Sequence, residues 1–208
     1  HVYVDAIHHS CHPSRMGKLP YDSKKDFAPI SFAAMFPVFI VAHPSVPANT
    51  IQELIALAKK GTPLAYGSSG NGGGTHLAGE LFNMEAGTKL QHIPYKGSAP
   101  AMNDLLGGQV DLLCDQTTQT VPYIQEGRIK AFGVTTPKRR SQSPKGPTRD
   151  GQGLKGCEVK GWNGLYAPKG TTKEVVDRLN KALGAALADP AVKKRLGEMN
   201  AEIPAPAK

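Results

Sequence analysis

Tyr66-Gly67-Ser68-Ser69-Gly70-Asn71-Gly72-Gly73-Gly74-Thr75-His76 runs straight into Leu77-Ala78-Gly79-Glu80-Leu81-Phe82, and this stretch decides how the chain is read. It has the pattern of a short strand, a loop of small residues and the start of a helix. Five glycines, with the hydroxyls of Ser68, Ser69 and Thr75, leave the backbone bare, so a ligand can lie directly against its N–H groups. The helix that follows points the positive end of its dipole at the same spot. Together these are the physical requirements for holding an anion such as a carboxylate. A plain glycine-rich turn is the competing reading. The strand on one side and the helix on the other favour the anion site.

Working outward, Met35-Phe36-Pro37-Val38-Phe39-Ile40-Val41-Ala42 is an apolar run of strand length. Thr50-Ile51-Gln52-Glu53 has the spacing of a capping box and opens a helix with Ile51, Leu54, Ile55 and Ala58 on one face. Beyond the glycine loop, Gly87 is placed to close the second helix, whose Leu77, Leu81 and Met84 share one side. Leu90–Tyr95, Val110–Asp115 and Ile129–Val134 read as strands, separated by a short helix over 99–106 and a helical turn or two over 120–126. Short strands alternating with helices predict an α/β architecture with a largely parallel sheet. In such sheets ligands sit beyond the C-terminal ends of the strands, where the 68–76 loop falls.

Residues 138–156 form a loop rich in proline, serine and charge, suited to a crossing between lobes. Glu158–Pro168 reads as a strand with an interruption. A second capping box, Thr171-Thr172-Lys173-Glu174, precedes a long helix bearing Val175, Leu179, Leu183 and Leu187. Asp189-Pro190 then caps a last helix with proline at its first position.

Bulk properties narrow the function. At 208 residues the chain has room for one ordinary domain or two small lobes. No apolar run approaches the ~18 residues needed to span a bilayer. The start, His1-Val2-Tyr3-Val4-Asp5, is neither a basic-then-apolar leader nor an initiating methionine, so a processed chain or a fragment is expected. The net charge of +8 invites a nucleic-acid reading, but the densest basic cluster, Lys138-Arg139-Arg140, lacks interleaved aromatics for base stacking. No nucleic-acid partner is expected, and the basic surface suits an anionic small ligand. Cys11, Cys114 and Cys157 are an odd, scattered set with no CxxC. His8-His9-Ser10-Cys11-His12 holds potential metal ligands, yet no second cluster with zinc-type spacing follows, and no metal or cofactor is expected.

The same loop bears on catalysis. Gly70–Thr75 lacks the lysine of a P-loop, and the glycine spacing misses the dinucleotide fingerprint. Ser68 or Ser69 with His76 and Asp115 has the residue types of a nucleophilic triad, but the GxSxG frame fails by one position. Asp115 ends a strand on the same sheet edge as the loop. It can meet a ligand's ammonium or hydroxyl group, or cap the turn at Thr117-Thr118. Trp162, flanked by glycines, is expected to pack rather than to line a cleft.

Several separate motifs now carry a family resemblance. They are Lys18-Leu19-Pro20-Tyr21-Asp22, Lys25–Ile30, the Tyr66–Phe82 stretch, Ile93-Pro94-Tyr95-Lys96-Gly97, Asp104–Asp111 and Trp162–Pro168. Together they resemble the periplasmic solute receptors of tripartite tricarboxylate transporters, also called the Bug family. The resemblance covers nearly the whole chain. It implies a non-enzymatic, two-lobed α/β receptor of the periplasmic binding protein type II kind, a monomer. Such a receptor closes on a small organic anion and hands it to membrane components of a tripartite transporter. It also implies ligand-binding roles for Ser68, Ser69, Gly70, Asn71, Gly72, Thr75 and His76, for Gly73 and Gly74 where bulkier residues are common, and for Asp115 at the other ligand end. On this reading residues 1–36 and 138–208 form lobe I and residues 37–137 form lobe II. Lobe I is incomplete, because the family's first strand, Pro-Gly-Gly loop and helix have no counterpart here. An α/β hydrolase using Ser68 or Ser69 and a non-transport adhesive fragment are the alternatives.

Overall fold

The computed structural model describes residues 3–5, 20–134, 159–199 and 201–203. The segment containing His8–His12 and the whole 138–156 crossing loop, with its basic cluster 138–140, lie outside the described residues, so the expectations placed on them have no structural counterpart here. Two compact units are present, residues 1–36 with 161–208 and residues 37–160. The strands are β1 (Tyr3–Asp5), β2 (Phe27–Ala42), β3 (Ala65–Ser68), β4 (Gln91–Pro94), β5 (Leu112–Gln116), β6 (Lys130–Val134) and β7 (Lys160–Pro168). The helices are α1 (Ile51–Lys59), α2 (Gly74–Ala86), α3 (Ser98–Leu106), α4 (Thr117–Gln125), α5 (Lys173–Ala188) and α6 (Pro190–Glu198).

In the second unit the strand order is β6-β2-β5-β3-β4. β3 is parallel to both β4 and β5, while β2 is antiparallel to both β5 and β6. Four strands therefore share one direction, supplied by helical crossovers, and β2 runs against them between β5 and β6. The sheet is mixed for a simple reason. β2 is not the product of a strand–helix–strand crossover within this unit; it arrives as the continuation of a strand that begins at Phe27.

The run Val38-Phe39-Ile40-Val41-Ala42 lacks polar alternation because both of its faces are covered. Val38, Ile40 and Ala42 pack with Ile51 and Leu54 of α1 and with Ala78 and Phe82 of α2. Phe39 and Val41 pack on the opposite face with Met102 and Leu105 of α3 and Val121 of α4. One strand thus organises two apolar layers, and its five consecutive apolar residues are the sequence trace of that.

The local stops and starts follow residue chemistry. The Thr50 hydroxyl accepts the Glu53 amide at 3.2 Å, while the Glu53 carboxylate takes the Asn49 amide at 2.7 Å. The reciprocal half of the capping box thus lands one residue early. Gly87 closes α2 in the left-handed conformation at φ 62°, where a Cβ is disfavoured. Just beyond, Asn83 staples the turn. Its Oδ1 accepts from Leu90 N at 2.9 Å and Thr88 Oγ1 at 3.0 Å, and its Nδ2 donates to Leu90 O at 3.2 Å. Asn83→Ala removes all three bonds from a turn that leads into the core, and a urea melt is expected to show a loss of about 2 kcal/mol. A melt matching wild type would show that water replaces the staple.

In the first unit β1 pairs antiparallel with β7, Tyr3 opposite Leu165, and β7 in turn neighbours β2. Met35 bridges to Glu202, and Ala34, Phe36 and Ala201 form a small cluster with Leu196 and Met199. β7 is continuous, so the expected interruption is absent. Trp162 packs edge-on against Phe32 with ring centroids 5.3 Å apart, in line with a packing role. The second capping box does not form. Thr172 occupies the N-cap of α5 without a side-chain bond, and the Thr171 hydroxyl instead donates to Pro168 O at 2.8 Å. Asp189 does cap α6 as expected, accepting from Ala191 N and Val192 N, with Pro190 at the first position. α5 buries no residue fully.

Candidate functional site

The site lies at the C-terminal ends of β5, β3 and β4, which are adjacent and parallel. Three helices start there, α2 at Gly74, α3 at Ser98 and α4 at Thr117. Their dipoles all bring positive ends to this edge of the sheet. The connecting loops are laced together: Tyr95 N donates to Ser68 O and Gly97 N to Ser69 O, both at 3.0 Å.

The glycine loop has a defined internal structure. Thr75 is buried, and its hydroxyl accepts from Ser69 N at 3.1 Å and pairs with Ser69 Oγ at 2.8 Å. Gly72 sits in the left-handed region at φ 71° and donates its N–H to His76 Nδ1 at 2.8 Å. Gly73 is the N-cap of α2 and offers no side-chain bond to the helix. The amides of Gly74, Thr75 and His76 therefore have no carbonyl one turn earlier within the helix, since the ladder begins with Leu77 N on Gly73 O. Asn71 is the exposed tip. A Cβ at Gly74 would meet nothing within 4 Å, so that glycine is not required by crowding.

Ser68 differs from its neighbours. It is fully buried; its hydroxyl lies 2.7 Å from His92 Nε2, donates to Gly70 O and accepts from Gly70 N, each at 3.3 Å. The His92 ring stacks on His76 at 3.8 Å and 8° between planes, and on Tyr66 at 4.9 Å and 29°. Tyr66 donates its hydroxyl to Glu80 Oε1 at 2.5 Å, and the same oxygen is 3.8 Å from His76 Nε2. Burial, then the neighbouring His76 imidazole, holds the His92 imidazole below its ordinary value, with Glu80 pulling the other way. Burial and the Glu80 carboxylate push the Tyr66 phenol far up. Tyr95, bonded to Asp104 at 2.7 Å, is pushed up to about 12, chiefly by burial.

Asp115 is fully buried at the end of β5. Its Oδ1 accepts from Ser98 Oγ at 2.7 Å and from Gln116 N at 2.8 Å, so it ties the first residue of α3 to the N-cap of α4. Its Oδ2 is buried without a hydrogen-bond partner among the described residues. Burial raises its carboxyl above the usual range, the Ser98 hydroxyl and Gln116 amide opposing. The turn at Thr117 is capped by Gln116 without a side-chain bond, so Asp115 is not the N-cap.

The structure brings Ser68, Ser69, Gly70, Gly72, Thr75 and His76 into one bonded loop and sets Asp115 at the same sheet edge. It does not assemble a triad. His76 Nδ1 is engaged by Gly72, Asp115 by Ser98 and Gln116, and the serine hydroxyl nearest an imidazole faces His92 from a fully buried position. Sequence reading assigned no role to His92, Glu80 or Ser98. The only trace of His92 is its place in β4, where it falls opposite Tyr66 in the parallel register. Among the described residues no cluster of three or more metal-ligating side chains occurs, and no helix is long and apolar enough to cross a membrane.

A two-unit α/β chain with an anion-type loop at the carboxyl edge of its sheet has the features of a solute-binding receptor. Residues 3–207 match the sequence model of the tripartite tricarboxylate transporter family receptor, and the chain belongs to that family. It is 38% identical over 182 residues to the UPF0065 protein in the TAR-I ttuE-ttuC' intergenic region of Agrobacterium vitis, covering 87% of this chain and 53% of that protein. The chain thus spans about half the length of curated relatives it matches. Among solved structures, the periplasmic binding protein BugD is 43% identical with a TM-score of 0.87, covering 96% of this chain and 67% of that one. R. palustris Rpa4515 with adipate is 32% identical with a TM-score of 0.90, with 96% and 67% coverage. The family is a transporter receptor family and BugD a periplasmic binding protein, not enzymes, which counts against the hydrolase alternative.

Proposed function

We propose that this chain is part of a monomeric periplasmic receptor that captures a small carboxylate-bearing metabolite, a di- or tricarboxylate or an amino acid. Capture occurs by lobe closure, with delivery to the membrane components of a tripartite transporter. The observation that carries the reading is the loop from Ser68 to His76. It presents unladdered amides at the start of α2 beside the Ser69–Thr75 hydroxyl pair. A carboxylate placed there meets N–H and O–H donors and the positive end of a helix, which suit either ionised oxygen. Asp115, at the same sheet edge, is assigned the ligand's other end, and it also fixes the starts of α3 and α4.

Calorimetry of the full chain with adipate, citrate, aspartate, glutamate and a neutral amino acid tests the reading. At least one anion is expected to bind. Thr75→Val keeps the side-chain shape but removes the acceptor that holds Ser69, and it should weaken that anion about tenfold. A well-folded chain that binds no carboxylate, or a Thr75→Val variant with wild-type affinity, would defeat the assignment of the loop.

A further inference from the structure

We propose that His92 is the positioning residue of the glycine loop, holding its amides in place through Ser68 and through the face of His76. This rests on reading the loop as the anion site. His92 lies outside the loop, on β4, yet two routes into the loop pass through its ring. Through Nε2 it meets the Ser68 hydroxyl at 2.7 Å, and that hydroxyl engages both the N–H and the carbonyl of Gly70. Through its face it stacks on His76, whose Nδ1 accepts the Gly72 N–H. Tyr66 from β3 flanks the ring as well and is itself anchored to Glu80 of α2. Strand β4, strand β3 and helix α2 thereby converge on one imidazole.

The titratable groups facing His92 are His76 and Glu80 from α2 and Tyr66 from β3. Two imidazoles face to face at 3.8 Å cannot both be charged without strong repulsion. A proton on His92 makes Nε2 an obligatory donor, and the Ser68 hydroxyl must then turn to Gly70 O. That turn changes the Gly70 amide, so a positioning role predicts a pH signature that a packing role does not.

Amide hydrogen exchange and proton–nitrogen spectra of the full 208-residue chain read this without any ligand. His92→Phe keeps a flat ring but has no nitrogen for Ser68. Exchange at Gly70 and Gly72 is expected to quicken about tenfold, the equivalent of one lost hydrogen bond. The movement of the Gly70 amide signal as pH falls below the ordinary histidine midpoint, where burial puts the His92 proton, is expected to vanish. His92→Gln, which restores a donor and acceptor without titrating, should recover slow exchange but not the pH response. If His92→Phe does not fold, the His92→Gln spectra carry the test, with slow Gly70 exchange and the pH movement lost. Wild-type exchange rates in His92→Phe, or an unchanged pH profile in His92→Phe or His92→Gln, would overturn the role. Adipate titration separates the two readings. Amide changes as expected with no adipate binding by wild type sustain the positioning role and count against the adipate site. Equal adipate affinity in wild type and His92→Phe overturns the positioning role.

Discussion

Gly79→Ala is expected to destabilise the chain by about 3 kcal/mol, lowering the melting temperature by roughly 6–12 °C. On local grounds the substitution should help, because alanine is favoured over glycine inside a helix by about 1 kcal/mol. The packing outweighs that gain. A Cβ at Gly79 would lie 2.2 Å from Cε2 and 2.5 Å from Cζ of Tyr66, far inside any real contact. Tyr66 has little freedom to retreat: it is fully buried, stacked against His92 and bonded to Glu80. The absence of a side chain at Gly79 is what lets α2 approach β3 closely enough to set the glycine loop between them. A thermal or urea melt measures the loss. Pairing the substitution with Tyr66→Leu removes the obstructing ring edge and should recover part of it, giving a double-mutant coupling well above zero. An additive pair, or a Gly79→Ala variant as stable as wild type, would contradict this packing. The same variant should also shift the Gly72 amide signal, because the displaced ring bears on His92.

The features that could be read from the sequence were those whose cause is local. Thr50 three residues before Glu53, Gly87 after an apolar helix face and Asp189 before Pro190 each act within one turn, and each produces the expected helix boundary. The Val38–Ala42 run was legible as a strand because burial on both faces leaves no polar residue in it. The glycine loop was legible for the same kind of reason, since bare backbone between a strand and a helix is written in consecutive residues.

What escaped depends on partners far along the chain. β2 begins at Phe27 rather than near Met35 because its early residues are held by other strands. Its Pro29 and alternating exposure hide that in a single-sequence view. The direction of β2 against its neighbours has no local signature at all. His92 escaped because its importance lies in Ser68, 24 positions earlier, and in the His76 ring it stacks upon. Thr172 escaped in the opposite sense. The Thr171–Glu174 spacing promised a cap, but Thr171 turns its hydroxyl to Pro168, a competing local acceptor. Leu77, Leu81 and Met84 share one side of α2, and there Leu77 and Met84 are exposed and Leu81 half-buried, whereas Ala78, Phe82 and Ala86 form the buried face. Both stripes fit a helical period, and only the sheet beneath decides between them.

Asp115 should make stability depend on pH in an unusual direction. Most acidic side chains are stabilised as anions in folded proteins, but burial raises this carboxyl above its ordinary value of 3.8. A group whose folded value is raised contributes stability that is fully present below the unfolded value and is lost as pH climbs through the folded one. The cause is visible in the bonding. Oδ1 is served by the Ser98 hydroxyl and the Gln116 amide, while Oδ2 is buried with no partner among the described residues, so ionisation strands charge in an apolar setting. Asp115→Asn keeps the acceptor that ties α3 to α4 and cannot ionise. Relative to this variant, wild type is expected to be at its strongest at or below about pH 4 and to lose ground as pH rises until the folded carboxyl has ionised, by about 1.4 kcal/mol for each unit separating the folded and unfolded values. Asp115→Ala removes the tie altogether and should cost about 2–3 kcal/mol near pH 4 through two lost hydrogen bonds and a small cavity. That cost should shrink as pH rises, because the wild-type reference itself weakens. Urea midpoints of the three proteins from pH 4 to pH 8 test the sign. A wild-type advantage over the asparagine variant that grows with pH would show that Oδ2 finds a cationic or hydrogen-bonding partner, which would make Asp115 an ordinary stabilising carboxylate.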